Sequence, residues 1–290
     1  GYLATLGGKL HPDIGILWTG DKVVACIDKP TMQFVNPLLK RKAFIWWNFP
    51  VSDYVRDRLL LGAVYGNGTD IDDDISAFIS NPMEHAEASK IALFSIADYA
   101  WNMDAYKSDA SWRRAVRYLM PGHAAALQVF ASHNSDLGGN EHDFRREESE
   151  QIRPALERLL DAYCREGKRE VAAASAVTEE CERMIASADL LLASDENPAL
   201  IKEITPWLMQ FKLLGEYGRE VLCMLAAQCD GKKTELEKAA SHAKALQVLM
   251  KKIDATYNQN GFQPGVKTGS CHLKPAFDRL YQEVVQRTGK

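Results

Sequence analysis

Three short apolar runs in the first part of the chain limit the fold more than any other feature. They cover residues 14–18, 44–47 and 75–79, and each ends in polar or turn residues. Such runs are typical of buried parallel strands, whose carboxyl ends lead into loops. Helical patterns separate or follow them: one includes Phe34 and Leu38, and a longer one is predicted to open near Asn81-Pro82. The recurrence of strand, loop and helix predicts an α/β fold for this part.

The pattern changes beyond about residue 147, where apolar residues recur every three or four positions without a strand signal. We expect Pro206 to kink or restart the helix that it interrupts, because proline lacks an N–H and its ring clashes with the preceding turn. Residues 258–270 are rich in Asn, Gln, Gly and Pro and are predicted to form an ordered loop between the last two helices. Residues 148–290 are therefore predicted to form an α-helical bundle domain.

Composition excludes several functional classes. The formal net charge is -4 and basic residues are mixed with acidic ones, so we expect no nucleic-acid partner. No apolar run approaches the roughly 18 residues that span a bilayer, and no membrane association is expected. The six cysteines form no Cys-x-x-Cys pair and are predicted to be buried thiols. No motif for a metal or cofactor is found, so none is expected.

Polar residues follow each of the three predicted strands. These are Thr19-Gly20-Asp21, then Asn48 through Tyr54, and then Asn81. In a (β/α) barrel such strand ends converge on one mouth, where Trp46 or Trp47 would offer a platform for a sugar ring or an acetyl methyl group. Each residue also has a purely structural interpretation: the tryptophans as core, Asp53 as a turn cap and Asn81 as a helix N-cap.

The same segments resemble glycoside hydrolase family 84, the O-GlcNAcases, and are more similar to its bacterial members than to the animal ones. The resemblance covers nearly the whole chain and is strongest from Thr19 to about Ser149. The matching segments are Trp46 to Asp57, Leu59 to Gly62, Asn81 to Glu87, Trp18 to Asp21, His133 to Gly138, Arg145 to Ser149, Ile204 to Trp207 and Gln263 to Thr268.

This resemblance implies a fold and a domain division. Residues 1–147 would form the C-terminal portion of a (β/α)8 TIM barrel, followed by the helical bundle of residues 148–290. Three strands cannot close a barrel that needs about eight. The opening residues have neither Met nor the build of a signal peptide. We therefore expect the N-terminal half of the barrel to lie outside this chain.

The resemblance also implies which residues hold substrate. Asp53 is similar to the aspartate that grips two hydroxyls of a bound N-acetylglucosamine, Asn81 to a second hydroxyl ligand, and Trp46 to a wall of the N-acetyl pocket. The remaining positions that resemble pocket residues are Asn48, Thr19, Val23, Tyr54 and His142.

No catalytic residue is expected in this chain. The family's pair of adjacent catalytic aspartates has no match here, and the acidic cluster Asp70 with Asp72 to Asp74 precedes a predicted strand instead of following one. We interpret that cluster as a solvated turn and short helix. By resemblance, the pair would lie upstream of every residue present.

The implied activity is that of a β-N-acetylglucosaminidase, which removes O-GlcNAc from proteins or glycans by a retaining, substrate-assisted mechanism. Bacterial relatives of this kind would be periplasmic or secreted. Two alternatives remain open at this point: a non-catalytic sugar-binding or interaction module, and a hyaluronidase-type enzyme. The oligomeric state is not predicted.

Overall fold

The computed structural model describes residues 1–135 and 147–289. These residues divide into two compact units. The first contains Gly1–Tyr54 and Leu60–Pro121, and the second contains Val55–Leu59, Gly122–Asn134 and the residues from Glu148 onward. The single domain boundary after residue 147 therefore stays a prediction, because two earlier segments also pack with the second unit.

A parallel sheet lies in the first unit. Its strands are β1 (Leu17–Trp18), β2 (Ala43–Trp47) and β3 (Ile75–Ser80), in the order β1-β2-β3. Both pairings are parallel, and Trp47 lies opposite Ser80. The three strands predicted from the apolar runs are thus confirmed, and their carboxyl ends share one edge of the sheet.

Helices precede, connect and follow these strands: α1 (Tyr2–Lys9), α2 (Lys29–Leu39), α3 (Ala86–Trp101) and α4 (Ser108–Leu119). The start of α2 is encoded locally, because the Asp28 carboxylate accepts the Thr31 N–H at 3.0 Å and Pro30 occupies the first turn. The start predicted for α3 was wrong by about five residues. His85 takes the N-cap position, so Asn81 does not cap this helix.

The second unit is mainly helical, as the sequence predicted. Its helices are α5 (Ala124–Ser132), α6 (Arg153–Glu166), α7 (Val171–Leu192), α8 (Pro198–Cys229), α9 (Lys233–Tyr257) and α10 (Leu273–Thr288). The predicted loop after α9 also contains a short antiparallel pair, β4 (Asn258–Asn260) with β5 (Gln263–Pro264).

Helix α8 continues through Pro206, so of the predicted kink or restart the restart was wrong, while the kink stays a prediction. Ile204, Trp207 and Leu208 are buried around the proline, and their packing offsets the lost backbone hydrogen bond. Further along α8, a Cβ on Gly218 would lie 2.5 Å from the Phe277 ring. The absence of a side chain at this position lets α10 approach α8 closely.

A buried polar network joins α5 to α7. The His133 ring lies 2.8 Å from Ser149 Oγ through Nδ1 and 2.7 Å from Glu180 Oε1 through Nε2. Arg183 Nε donates to the other Glu180 oxygen at 3.0 Å. The order Ser, His, Glu is that of a hydrolase triad, but all three side chains are buried and no ester could reach the Ser149 hydroxyl. The network is a structural one.

None of the six cysteines forms a disulfide. The prediction that they are buried is confirmed for Cys26 and Cys181, but it was wrong for the others, since Cys164 and Cys271 are half-buried and Cys223 and Cys229 are exposed. Within the described residues, no helix combines the length and the apolarity that crossing a bilayer requires.

Candidate functional site at the carboxyl ends of the strands

The predicted site residues of the first unit lie where the three strands end. Thr19 follows β1, Asn48 follows β2 and Asn81 follows β3, while Asp53 and Tyr54 lie further along the loop after β2. Because Trp47 pairs with Ser80, the next residues on both strands, Asn48 and Asn81, come side by side. The Asn81 N–H also donates to the Trp47 carbonyl at 2.9 Å and so extends the ladder by one residue.

A hydrogen-bonded chain of side chains lies at this edge. Asn48 Oδ1 accepts from Trp46 Nε1 at 2.9 Å and from Asn81 Nδ2 at 3.2 Å. Asn48 Nδ2 donates to the Val23 carbonyl at 2.7 Å. Asn48 therefore ties the loop after β1 to the ends of β2 and β3.

The hydrogen-bond partners fix the orientation of both side-chain amides at this edge, those of Asn48 and Asn81. An indole N–H can only donate and a backbone carbonyl can only accept, so Asn48 must turn its oxygen to Trp46 and its nitrogen to Val23. Asn81 must then present its nitrogen to Asn48, which leaves Asn81 Oδ1 turned away. Within the part of the chain that the structure describes, this oxygen has no hydrogen-bond partner. The site thus presents a fixed acceptor.

The two neighbouring tryptophans have different roles. Trp47 is fully buried, its indole N–H donates to the Ala25 carbonyl at 2.8 Å, and its ring packs 5.1 Å from Phe49. Trp46 points to the other face of the sheet and is 37% exposed, with its N–H held by Asn48. Only Trp46 can offer a ring face to a ligand. The structure separates the two by strand alternation, since Ala43, Ile45 and Trp47 face the core and Trp46 faces the opposite side.

The remaining predicted positions differ in exposure. Asp53 and Tyr54 are exposed in the loop after β2, and Thr19 is half-buried after β1. Val23 is 73% exposed, and its contribution to the hydrogen-bonded chain is its backbone carbonyl, which its residue type could not reveal. His142 lies outside the described residues.

The acidic cluster lies at the other end of the sheet. Asp72–Asp74 form a short 3-10 helix immediately before β3, as the sequence predicted. Asp74 pairs with Lys29 at 2.5 Å, and this hydrogen bond is the main reason that the pKa of Lys29 is raised. Among residues 1–135 and 147–289, no three His, Cys, Asp or Glu side chains are grouped so that they could hold a metal ion.

Two sequence families match this chain in succession. The β-N-acetylglucosaminidase family matches residues 1–132, and the post-catalytic domain of bacterial glycoside hydrolase family 84 matches residues 148–281. The chain belongs to glycoside hydrolase family 84. The predicted fold class is confirmed with it: a partial barrel followed by a helical domain.

Solved structures of this family have the same fold. CpGH84B superposes with a TM-score of 0.86 at 24% identity, over 96% of this chain and 47% of that one. CpGH84D superposes with a TM-score of 0.84 at 27% sequence identity, over 98% of this chain and 47% of that one. A mutant of the Thermobaculum terrenum O-GlcNAc hydrolase superposes with a TM-score of 0.78 at 22% sequence identity, over 100% of this chain and 60% of that one.

Curated relatives match a shorter part. Protein O-GlcNAcase of Rattus norvegicus and that of Mus musculus are each 36% identical over 110 residues, which is 37% of this chain and 12% of theirs. The family 84 chain described here thus spans about half of the solved relatives and about an eighth of the curated ones.

Proposed function

We propose that the protein carrying this chain removes β-linked N-acetylglucosamine from protein or glycan substrates. Hydrolysis would proceed with retention and with the substrate's own acetamido oxygen as nucleophile. This chain would supply the wall that holds the sugar. The observation that carries the proposal is the Trp46, Asn48 and Asn81 chain, which combines an aromatic face and a directed acceptor at the carboxyl edge of a parallel sheet.

Each residue would have a separate task in holding the sugar. Asn81 Oδ1 would accept a hydrogen bond from a ring hydroxyl, and the Asp53 carboxylate would accept from two further hydroxyls. The exposed ring of Trp46 would pack against the methyl of the N-acetyl group. Thr19, Val23, Tyr54 and His142 would complete the wall of the pocket.

In this proposal, residues outside this chain carry out the proton transfers. In the proposed reaction one aspartate orients and polarises the acetamide, and a second protonates the leaving oxygen and then activates water. The acetamido oxygen forms a bond to the anomeric carbon as the bond to the leaving group breaks, and water later opens the resulting ring. The side chains of this wall would keep the anomeric carbon in place through both steps.

Replacement of Asp53 tests the proposal. In the complete protein, Asp53→Ala should reduce kcat/KM for an aryl N-acetylglucosaminide by about 10- to 100-fold, because hydrogen bonds to a charged group are worth about 1.5–3 kcal/mol. Asp13→Ala is the matched control, since Asp13 is an exposed carboxylate before β1. A change for Asp53→Ala within about threefold, or roughly 0.65 kcal/mol, contradicts the hydroxyl-holding role.

Two further measurements separate the alternatives. A non-catalytic module would bind N-acetylglucosamine and leave the aryl glycoside intact in the complete protein. A hyaluronidase-type enzyme would release oligosaccharides from its polymer, whereas the proposed enzyme releases single N-acetylglucosamine units. Chromatography of the products therefore distinguishes the two hydrolases.

A further inference from the structure

The helical unit contains a second candidate site, separate from the strand-end residues. A cavity of about 560 Å³ lies between α8, α9, α10 and the loop before α10. Its walls include Gln210 of α8, Met250 of α9, Tyr281 of α10, and Thr268 and Ser270 of the loop. Arg58, from the segment Val55–Leu59 of the same unit, also lines it. The volume is that of an ordinary small-molecule pocket, for which about 300–1,000 Å³ is usual.

Buried polar atoms without partners are concentrated in this cavity. In the described residues, some buried side-chain nitrogen or oxygen atoms have no hydrogen-bond partner in the protein. Four of them belong to lining residues: Arg58 Nε, Gln210 Oε1, Thr268 Oγ1 and Ser270 Oγ. Gln210 and Thr268 are only 5% and 4% exposed. A buried polar atom without a partner costs about 1–3 kcal/mol, so four around one cavity indicate a place for a polar ligand.

The orientation of Gln210 restricts what the ligand can be. Gln210 Nε2 donates to the carbonyls of Met250 at 3.2 Å and Val266 at 3.3 Å, so the amide cannot be turned round. Gln210 Oε1 therefore needs a hydrogen-bond donor from the ligand. Arg58 Nε can only donate and lies 3.6 Å from Asp57 Oδ1, beyond hydrogen-bond distance, so it needs an acceptor. Hydroxyl groups satisfy both requirements, and a deprotonated anion satisfies only the second.

Carboxylates balance part of the positive charge around the cavity, whose lining includes four cations and the carboxylates of Asp254 and Asp278. The Lys267 ammonium pairs with Asp57 at 2.5 Å, and the Lys274 ammonium pairs with Asp278. Two of the cations at the cavity are thus already neutralised by carboxylates. The Tyr281 side chain adds an aromatic surface of the kind that packs against sugar rings.

We propose that this cavity binds a small neutral polyhydroxyl compound about the size of a monosaccharide. Its hydroxyls donate to Gln210 Oε1, accept from Arg58 Nε, and exchange hydrogen bonds with Thr268 and Ser270. The site does not depend on the proposed hydrolytic activity, since none of these residues belongs to the strand-end wall.

The Met250 methyl group is a local reporter for a binding experiment. The complete protein, labelled with 13C at the methionine methyls, is titrated with D-glucose, then with N-acetylglucosamine, and separately with inorganic phosphate. The Met250 resonance is assigned through Met250→Leu. A saturable shift of this resonance with a sugar is expected, and the same titration of Asp53→Ala should give the same shift, which separates this cavity from the strand-end site.

The double variant Thr268→Val with Ser270→Ala removes two lining hydroxyls. It should weaken sugar binding by at least about fivefold, because each of the two lost hydrogen bonds is worth about 0.5–1.5 kcal/mol. It should not lower the melting temperature, since the hydroxyls have no partner in the protein. Ser241→Ala on the exposed face of α9 is the matched control.

Three results of the binding experiments overturn the proposal. The first is the absence of a saturable shift with either sugar, which would mean that the cavity holds water alone or, if phosphate gives a shift, an anion. The second is unchanged sugar affinity in the double variant, and the third is loss of the Met250 response in Asp53→Ala. If the double variant melts at a lower temperature, its hydroxyls have partners in the protein and the premise is wrong.

Discussion

Asn48 is the residue on which the geometry of the strand-end site depends. Its side chain makes hydrogen bonds of 2.7, 2.9 and 3.2 Å to Val23, Trp46 and Asn81. Asn48→Ala removes all three. Because Asn48 is half-buried, water replaces part of what is lost, and we expect a loss of folding stability of about 1.5 kcal/mol, which is the low end for three bonds.

The effect on catalysis should exceed the effect on folding. Among residues 1–135 and 147–289, Asn48 is the one hydrogen-bond partner of Asn81 Nδ2, so its removal lets Asn81 Oδ1 lose its fixed direction. We expect kcat/KM for an aryl N-acetylglucosaminide to fall by about 10- to 100-fold, or about 1.4–2.8 kcal/mol, because misplaced contacts carry large rate penalties. Trp46→Phe, which removes one bond and retains a ring, should cost less than Asn48→Ala.

A double-mutant cycle separates positioning from independent contacts. The complete protein is prepared as Asn48→Ala, as Asn81→Ala and with both changes, and kcat/KM is measured for each. If Asn48 acts through Asn81, the double variant should be hardly worse than Asn81→Ala alone, which gives a coupling of about 1 kcal/mol or more. Additive losses, within about 0.5 kcal/mol, would refute this reasoning.

Two further predictions concern the helical unit. Burial favours a raised pKa for Glu180, but hydrogen bonds and charges from His133 and its arginine neighbour outweigh burial and lower this pKa. The carboxylate therefore stabilises the fold above its unfolded pKa of about 4.3 and loses this effect as the pH falls through the folded pKa. The free energy of unfolding, measured with urea, should therefore fall more in acid for wild type than for Glu180→Gln. An equal pH dependence of the two would contradict this. Gly218→Ala should cost about 1–3 kcal/mol, because its Cβ would clash with Phe277, while Gly261→Ala, whose Cβ meets nothing within 4 Å, should be nearly neutral in thermal unfolding.

The sequence predicted the strands and their polar ends because those signals are local. An apolar run that ends in polar residues reflects the burial of one strand, and residues 44–47 and 75–79 kept this pattern. The separation of the tryptophans was also encoded, since Trp46 and Trp47 must face opposite sides of the sheet. Which side is the core depends on α3 and its Tyr99, whose ring packs 5.6 Å from Phe78, and this is a tertiary contact.

Other features depended on partners far along the chain. Asn81-Pro82 has the composition of a helix start, but the Asn81 side chain bonds to Asn48 across the sheet, and the helix begins later. Pro206 has the composition of a helix break, but buried neighbours keep α8 continuous. In both cases a tertiary contact overrode a local preference that is worth only a few kcal/mol.

The positions of the acidic groups explain why the strand-end wall is assigned to holding substrate and not to proton transfer. The cluster at Asp72–Asp74 directly precedes β3, whereas Asn81 directly follows it. A strand of six residues, at about 3.3 Å each, separates the two ends by roughly 20 Å, which is far beyond the reach of a carboxylate. The Asp74 carboxylate moreover forms a salt bridge with Lys29. The exposed Asp53 lies at the opposite, carboxyl end of the sheet, where a carboxylate is suited to accepting hydroxyl hydrogen bonds. A proton donor for the leaving oxygen would therefore come from strand ends other than these three.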